Sequence, residues 1–110
     1  MTTSDPFVLA RRVAGWLAHT NGTSREQQTL QILKVTEEAG EVAAAWIGTV
    51  GQNPRKGVTH TTSDVAGELA DVVLTALVAI AGLGLDPERV VGECVAKIAG
   101  RLDEAAGVSS

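Results

Sequence analysis

The sequence has few aromatic residues. Tyr is absent, Phe occurs once and Trp twice, so aromatic residues make up only 3% of the 110 positions. The apolar content is nevertheless 45%, and most of it is Ala, Val and Leu. Sheets draw much of their stability from aromatic and β-branched pairs across strands, whereas Ala and Leu are strong helix formers. The composition therefore predicts an all-α protein.

Basic residues are also scarce. Nine Lys and Arg residues stand against thirteen Asp and Glu residues, which gives a formal net charge of -4 and a pI near 5.0. Proteins that bind nucleic-acid polymers usually present a basic face to the phosphates. We therefore expect no nucleic-acid polymer among the partners, although a single nucleotide held through a metal stays possible.

The chain lacks a second cysteine and a long apolar run. Cys94 has no intrachain disulfide partner and is predicted to be a small buried side chain in a reducing, cytoplasmic setting. The longest apolar stretch, Val72 to Leu85, is about 14 residues long, and a bilayer span needs about 20. Asp5 and Pro6 precede any apolar run, so no signal peptide is predicted and no membrane partner is expected.

Capping residues and helix breakers predict four helices in one domain that covers residues 1–110. Asp5-Pro6 and Asp86-Pro87 each combine an N-cap residue with a proline at the first helical position. The predicted helices begin or end near these residues: Pro6 to Asn21, Glu26 to Ile47, Asp64 to Ala81 and Pro87 to Ala106. The polar stretch from 51 to 62 is longer than most connections between helices, which favours a functional or disordered loop.

The third predicted helix is apolar on every side after Asp71. Such a helix has to be surrounded by other apolar surface, and a chain of this size has little mass with which to do so. The sequence therefore predicts a homo-oligomer in which another subunit covers part of this helix, and it does not distinguish a homodimer from a homotetramer. In the fourth helix, Val90, Val91, Val95 and Ile98 recur at helical spacing and are predicted to face inward.

Two acidic runs interrupt the apolar pattern, namely Glu37, Glu38 and Glu41, and later Glu68 and Asp71. Residues three and four apart share one face of a helix, so each run forms a carboxylate cluster. If the second and third helices pack antiparallel, the two clusters meet and offer oxygen ligands that suit Mg²⁺ or Mn²⁺. The alternative is a solvated or salt-bridged acidic face, since either motif alone arises readily by chance.

The ordered pair Glu37-Glu38-x-x-Glu41 and Glu68-x-x-Asp71 resembles the signature of the MazG-like all-α nucleoside triphosphate pyrophosphohydrolases. The likeness covers about residues 26–101. It implies a four-helix MazG-like bundle completed by homo-oligomerisation. It also implies Mg²⁺-dependent hydrolysis of nucleoside triphosphates to monophosphate and pyrophosphate, with house-cleaning of non-standard nucleotides as one role.

The resemblance also implies roles for individual residues. Glu38, Glu41, Glu68 and Asp71 would be metal ligands, and Glu37 and Glu38 would be the catalytic carboxylates. Glu37 would bind a further metal or orient the attacking water. Metals stabilise charge on phosphate oxygens and activate water directly, so the lack of an obvious protein nucleophile agrees with this chemistry.

Other side chains have two open interpretations each. Lys97 and Arg101 resemble the basic pair that the family directs at phosphates, but such a pair on a last helix also offsets the negative helix end. Arg55 and Lys56 in the loop would reach phosphates or simply be solvated. Trp16 would stack on the base or belong to the core.

Two alternatives to a pyrophosphohydrolase were weighed. A ferritin-like di-metal oxidase also places carboxylates in a helical bundle, but it needs a His three residues after a Glu, and neither His19 nor His60 meets that spacing. A non-catalytic helical dimerisation or regulatory module would use the acidic face to bind a basic protein. That module predicts no specific metal uptake.

Overall fold

The computed structural model describes residues 3–107. Within that range the protein consists of four helices and contains no strand, which confirms the all-α prediction. The helices are α1 (Pro6–Asn21), α2 (Arg25–Val50), α3 (Thr62–Gly82) and α4 (Pro87–Ala105). The predicted limits are close to these, and the largest difference is that α2 continues past Ile47 and Gly48 to Val50.

Every helix begins at a side-chain cap, because the first backbone N–H groups of a helix have no partner within it. The four N-cap residues are Asp5, Ser24, Thr61 and Asp86. At α3 the cap is reciprocal: the Thr61 N–H donates to Asp64 Oδ2 at 2.8 Å, and the Asp64 N–H donates to Thr61 Oγ1 at 3.2 Å. The caps at Asp5 and Asp86 are the ones that the sequence predicted. For the other two helices the sequence allowed Thr23 or Ser24, and Thr61, Thr62 or Ser63, and the structure has Ser24 and Thr61.

Helices α2 and α3 pack against each other along most of their length and run antiparallel. At one end Gln28 Nε2, near the start of α2, donates to the carbonyl of Gly82 at the end of α3, at 3.3 Å. At the other end the Thr59 N–H, just before α3, donates to the carbonyl of Gly48 in the last turns of α2, at 2.9 Å. The two acidic runs lie between these ends, so they are at the same level of the helix pair.

The apolar core lies where α1 crosses α3. Its buried residues are Ala10, Leu77 and Val78, and partly buried apolar side chains surround them: Phe7, Val13, Ala14, Leu17, Leu74 and Val91. Helix α4 joins this core through its first turns, where Pro87 is fully buried. The core therefore fixes α1 and the start of α4 on α3, on the side away from most of α2.

Most of α4 extends away from the other helices. Val90 and Val91 are half-buried, but all residues from 92 to 107 are exposed. The prediction that Val95 and Ile98 face inward is wrong for the single chain, since they are 60% and 56% exposed. Cys94 is also exposed rather than buried. The periodicity of α4 indicated an apolar stripe correctly, but no other helix of this chain covers it.

Further apolar side chains are exposed on α2 and α3. They lie on the far side of each helix from Glu41 or Asp71, about 140–200° around a helix of 3.6 residues per turn. We call this surface the outer face, and its large residues are Ile32, Trp46, Val50, Leu69 and Val73, each between 47% and 58% exposed. The radius of gyration is 17.6 Å, whereas a compact chain of this length would have about 13 Å. Helix α3 is thus enclosed on only part of its surface.

The length and composition of α3 would also allow a membrane crossing, since its mean hydropathy reaches 1.8 over an 18-residue window. The central helix of a soluble core meets the same criteria. Leu77, Val78 and Ala79 are buried within the protein. Only 17% of that window is buried within the protein, so the core covers part of the apolar surface of α3 and leaves the rest exposed.

Candidate functional site

Three carboxylates converge where α2 lies against α3. The ligand oxygens of Glu38, Glu41 and Glu68 all lie within 4.8 Å of one another. Glu38 and Glu41 come from one face of α2, and Glu68 comes from the facing side of α3. We call these three residues the carboxylate cluster. The structure therefore brings together the two acidic runs, as the antiparallel packing predicted.

The two remaining acidic residues lie beside the cluster rather than in it. Asp71 is one turn further along α3, and its negative charge raises the pKa of both Glu38 and Glu68. Glu37 forms an exposed ion pair instead, with Lys34 Nζ at 3.6 Å from Glu37 Oε1. Asp71 is thus placed to extend a metal site, while Glu37 lies at its edge.

Burial and mutual repulsion hold the cluster in an unfavourable state. Burial is the main cause of the raised pKa of Glu68, followed by the charge of Glu41. Burial likewise raises the pKa of Glu38, and the charges of Glu41 and Asp71 add to the effect. Glu38 and Glu68 would therefore ionise more readily if a positive group entered the cluster.

Within residues 3–107 the charge of Lys34 lowers the pKa of Glu38, but no positive side chain acts on the pKa of Glu68. Glu68 Oε2 is buried and has no hydrogen-bond partner, and it is the only such side-chain atom in the described chain. The ion pairs of the same residues use other carboxylates, those of Asp86, Glu37 and Glu93. A buried carboxylate oxygen without a partner is costly. The three carboxylates lie close enough together to hold a metal ion, and a hydrogen bond between Glu68 and Glu41, which also raises the pKa of Glu68, is the other way to reduce that cost.

The four basic residues predicted for phosphate binding are not brought to the carboxylate cluster within one chain. Lys97 and Arg101 lie on the exposed part of α4. Arg55 and Lys56 lie in the turn after α2, where their backbone N–H groups bond to Asn53 and both residues are exposed. Of the charges that shift the pKa of Glu38, Lys34 is the one cation. The phosphate-binding roles of the other four residues stay predictions.

Trp16 belongs to a groove rather than to the core, so the core interpretation of this residue is wrong. Its side chain is 65% exposed. The groove has a volume of about 770 Å³, with α1 and α2 as its walls and α3 as its floor. Lys34 and Glu37 line the α2 wall, and Leu74 and Thr75, which follow Asp71 by one turn, line the floor. The groove therefore opens beside the carboxylate cluster.

His60 is the residue near the cluster that the sequence did not single out. It lies at the end of a second, shallower groove that reaches the cluster along α3, lined by Thr59, His60, Ser63, Asp64, Gly67, Glu68 and Asp71. His60 Nδ1 is 2.8 Å from Thr59 Oγ1. Gly48 leaves the room for this pair, since a Cβ at position 48 would collide with both atoms. From the sequence Gly48 was expected to end α2, so the residue pattern did not indicate this pair.

Comparisons with protein-family models, with curated proteins and with solved structures each found no match to this chain. The resemblance to the MazG-like pyrophosphohydrolases is therefore carried by the two acidic motifs alone. The geometry of the carboxylate cluster is an independent observation beside it.

Proposed function

We propose that the protein is a metal-dependent hydrolase that converts nucleoside triphosphates to nucleoside monophosphates and pyrophosphate. The observation that carries this proposal is the buried, unpartnered Glu68 Oε2, which faces Glu38 and Glu41 from the opposite helix. Glu38 and Glu41 belong to the first acidic motif and Glu68 belongs to the second, so the group that could hold a cation is built from both motifs.

The carboxylate cluster fits a hard divalent cation. Its donors are oxygens only, from Glu38, Glu41 and Glu68, and such donors suit Mg²⁺ or Mn²⁺ better than softer metals. Asp71 adds a further carboxylate one turn away, whose charge already acts on the cluster. A divalent ion there would offset the burial and repulsion that raise the pKa of Glu38 and Glu68.

The proposed reaction needs little covalent chemistry from the protein. When bound, the cation supplies charge stabilisation at the phosphate oxygens and activation of a water molecule. Attack of water at the α-phosphorus breaks its bond to the bridging oxygen and releases pyrophosphate. Glu37, at the edge of the cluster and in the groove wall, is placed to orient that water and accept its proton, while Lys34 balances its charge.

Assembly is part of the same proposal. The exposed outer face and the exposed apolar stripe of α4 both lack a covering surface in the single chain. A homodimer or homotetramer would cover them, and a stable interface buries about 800 Å² on each partner. Because one chain does not bring Lys97 and Arg101 to its own cluster, these residues would act on phosphates only from a neighbouring copy.

One assay tests the reaction. The purified protein is incubated with standard and modified nucleoside triphosphates plus Mg²⁺ or Mn²⁺, and mono- and diphosphate, pyrophosphate and orthophosphate are resolved. The expected products are monophosphate and pyrophosphate, and chelation of the metal should abolish their formation. Release of diphosphate with orthophosphate would reject attack at the α-phosphorus. No turnover of any nucleotide, together with no metal uptake, would favour the non-catalytic module with an acidic binding face.

A further inference from the structure

The groove beside Trp16 ends in side-chain amides. It starts at Lys34 and Glu37 and follows α2 toward its first turn. At that end Asn21, Gln27 and Gln31 line both the groove and a small adjoining pocket of about 60 Å³. Nothing in the acidic motifs points to these three residues, and they lie outside the metal chemistry.

The amides of this end have unused hydrogen-bonding capacity. Gln27 and Gln31 are half-buried, yet within residues 3–107 their side chains make no hydrogen bond to the protein. Their neighbour Gln28 differs, because its Nε2 donates to the carbonyl of Gly82 at 3.3 Å. Their amide atoms remain open to solvent, because Glu68 Oε2 is the one buried side-chain N or O atom without a partner in residues 3–107. Gln28 therefore has a structural role, whereas Gln27 and Gln31 present free donors and acceptors to the groove.

The spacing along α2 matches one nucleotide. A helix rises about 1.5 Å per residue, so Gln31 lies about 10 Å along the axis from Glu38. That is roughly the span from the α-phosphate of a nucleoside monophosphate to the outer edge of its base. Between the two ends the groove is apolar, with Val13, Trp16 and Leu30 on its walls. Apolar and aromatic walls suit the faces of a base and a sugar.

We propose that this groove binds the nucleoside half of the substrate and that the amides of Gln31, Gln27 and Asn21 read the polar edge of the base. The inference rests on the proposed function, since it takes the phosphates to lie at the carboxylate cluster. A carboxamide offers a donor and an acceptor in one plane, which is the pattern that base edges present. The enzyme is then selective for the base and not only for the triphosphate.

The first test measures kcat/KM for triphosphates of the different bases, in the wild type and in Gln31→Leu and Gln27→Leu. Leucine keeps the approximate volume and removes the amide. We expect kcat/KM for the preferred base to fall about tenfold or more, so that the bases become more alike. Gln52→Leu, which removes an exposed amide from the loop after α2, is the matched control and should keep the wild-type profile. Unchanged base preference in both groove variants would overturn the inference even while hydrolysis persists.

The second test needs no metal and no turnover. Nucleosides without phosphate are titrated into the metal-free Trp46→Phe variant, so that Trp16 alone reports through its fluorescence. We expect base-dependent quenching that Gln31→Leu weakens. Quenching without any hydrolysis by the wild type would keep the base site and reject the proposed function. Hydrolysis without quenching would keep the proposed function and reject the base site. Dissociation of an oligomer by Gln31→Arg would assign the groove to a subunit interface and overturn the inference.

Discussion

The two long sides of the α2–α3 pair differ in the kind of partner that each requires. One side carries the carboxylate cluster, where Glu68 Oε2 is buried without a partner. The opposite side is the outer face, where residues such as Trp46 and Val73 are 53% and 58% exposed. On the first side a carboxylate oxygen is buried, and on the second side large apolar side chains are exposed.

The contrast shows that the two sides of this helix pair would be stabilised by different groups. A buried carboxylate is stabilised by a cation, whereas an exposed apolar face is stabilised by further apolar surface. The two sides therefore predict different partners, a divalent ion with its substrate on one side and a second copy of the chain on the other. Substitutions on each side should change one property and leave the other largely intact.

The largest effect is expected on the carboxylate side. Glu68→Gln, Glu41→Gln and Asp71→Asn should each lower kcat at least about 100-fold, because loss of even an outer-shell metal contact commonly costs 10- to 100-fold. The helical circular dichroism should not change, since each substitution removes a repelling charge from the cluster. Glu93→Gln on exposed α4 is the control. Near-wild-type turnover in any of the three variants would remove that residue from the proposed metal site.

On the outer face, a charge should break the assembly. Trp46→Glu and Val73→Asp should convert the protein from a multiple of 11.3 kDa to the single chain in sedimentation velocity at micromolar concentration. Leu33→Asp is the matched control, since Leu33 is 57% exposed on α2 but lines the groove on the carboxylate side. A wild type that sediments only as the single chain would show that the outer face takes no second copy.

A pH series separates the two sides through metal binding. The pKa values of Glu38 and Glu68 are raised above 4.5 in the folded protein. In metal-free protein their favourable contribution is therefore complete below the unfolded pKa and is lost as the pH rises through the folded values. Mg²⁺ requires the ionised carboxylates, so the increase in Tm that it causes should grow as the pH rises through the raised pKa values of Glu38 and Glu68. Thermal unfolding of the wild type and of Glu68→Gln, with and without Mg²⁺, measures this.

In that series a substitution in the carboxylate cluster and one on the outer face should respond differently to Mg²⁺. Glu68→Gln should lose most of the pH-dependent stabilisation by Mg²⁺, while Trp46→Glu should retain it on the carboxylate side. A stabilisation by Mg²⁺ that does not vary with pH, or none at all, would contradict a site built from these carboxylates.

The features that the sequence predicted well are local. The caps at Asp5, Ser24, Thr61 and Asp86 depend on neighbouring residues, and so do the helix limits. The convergence of Glu38, Glu41 and Glu68 needed one further step, the antiparallel packing of consecutive helices. Spacing on each helix determines which side chains share a face. The antiparallel packing of α2 and α3, across a connection longer than most, determines how those faces meet.

The features that the sequence did not predict depend on contacts between distant parts of the chain. The stripe of Val95 and Ile98 shows that α4 needs a cover, but periodicity does not say whether the same chain provides it. Trp16 has the spacing of a core residue and instead lines a groove. The position of His60 depends on the close approach that Gly48 allows, which no spacing of polar residues reveals.

The smallest effect is expected from an ordinary exposed ion pair. Its carboxylate is exposed and paired, whereas Glu68 Oε2 in the carboxylate cluster is buried and has no partner. Arg89 NH1 lies 2.7 Å from Glu93 Oε1 one turn along α4, with both side chains more than half exposed. Such pairs on helices contribute about 0.3–0.5 kcal/mol, because water and salt screen them. Arg89→Ala should therefore lower the free energy of unfolding by no more than this in urea titrations, with no effect on kcat. A loss above about 1 kcal/mol would mean that α4 is packed against another copy, and that the partner of the outer face also covers the stripe of α4.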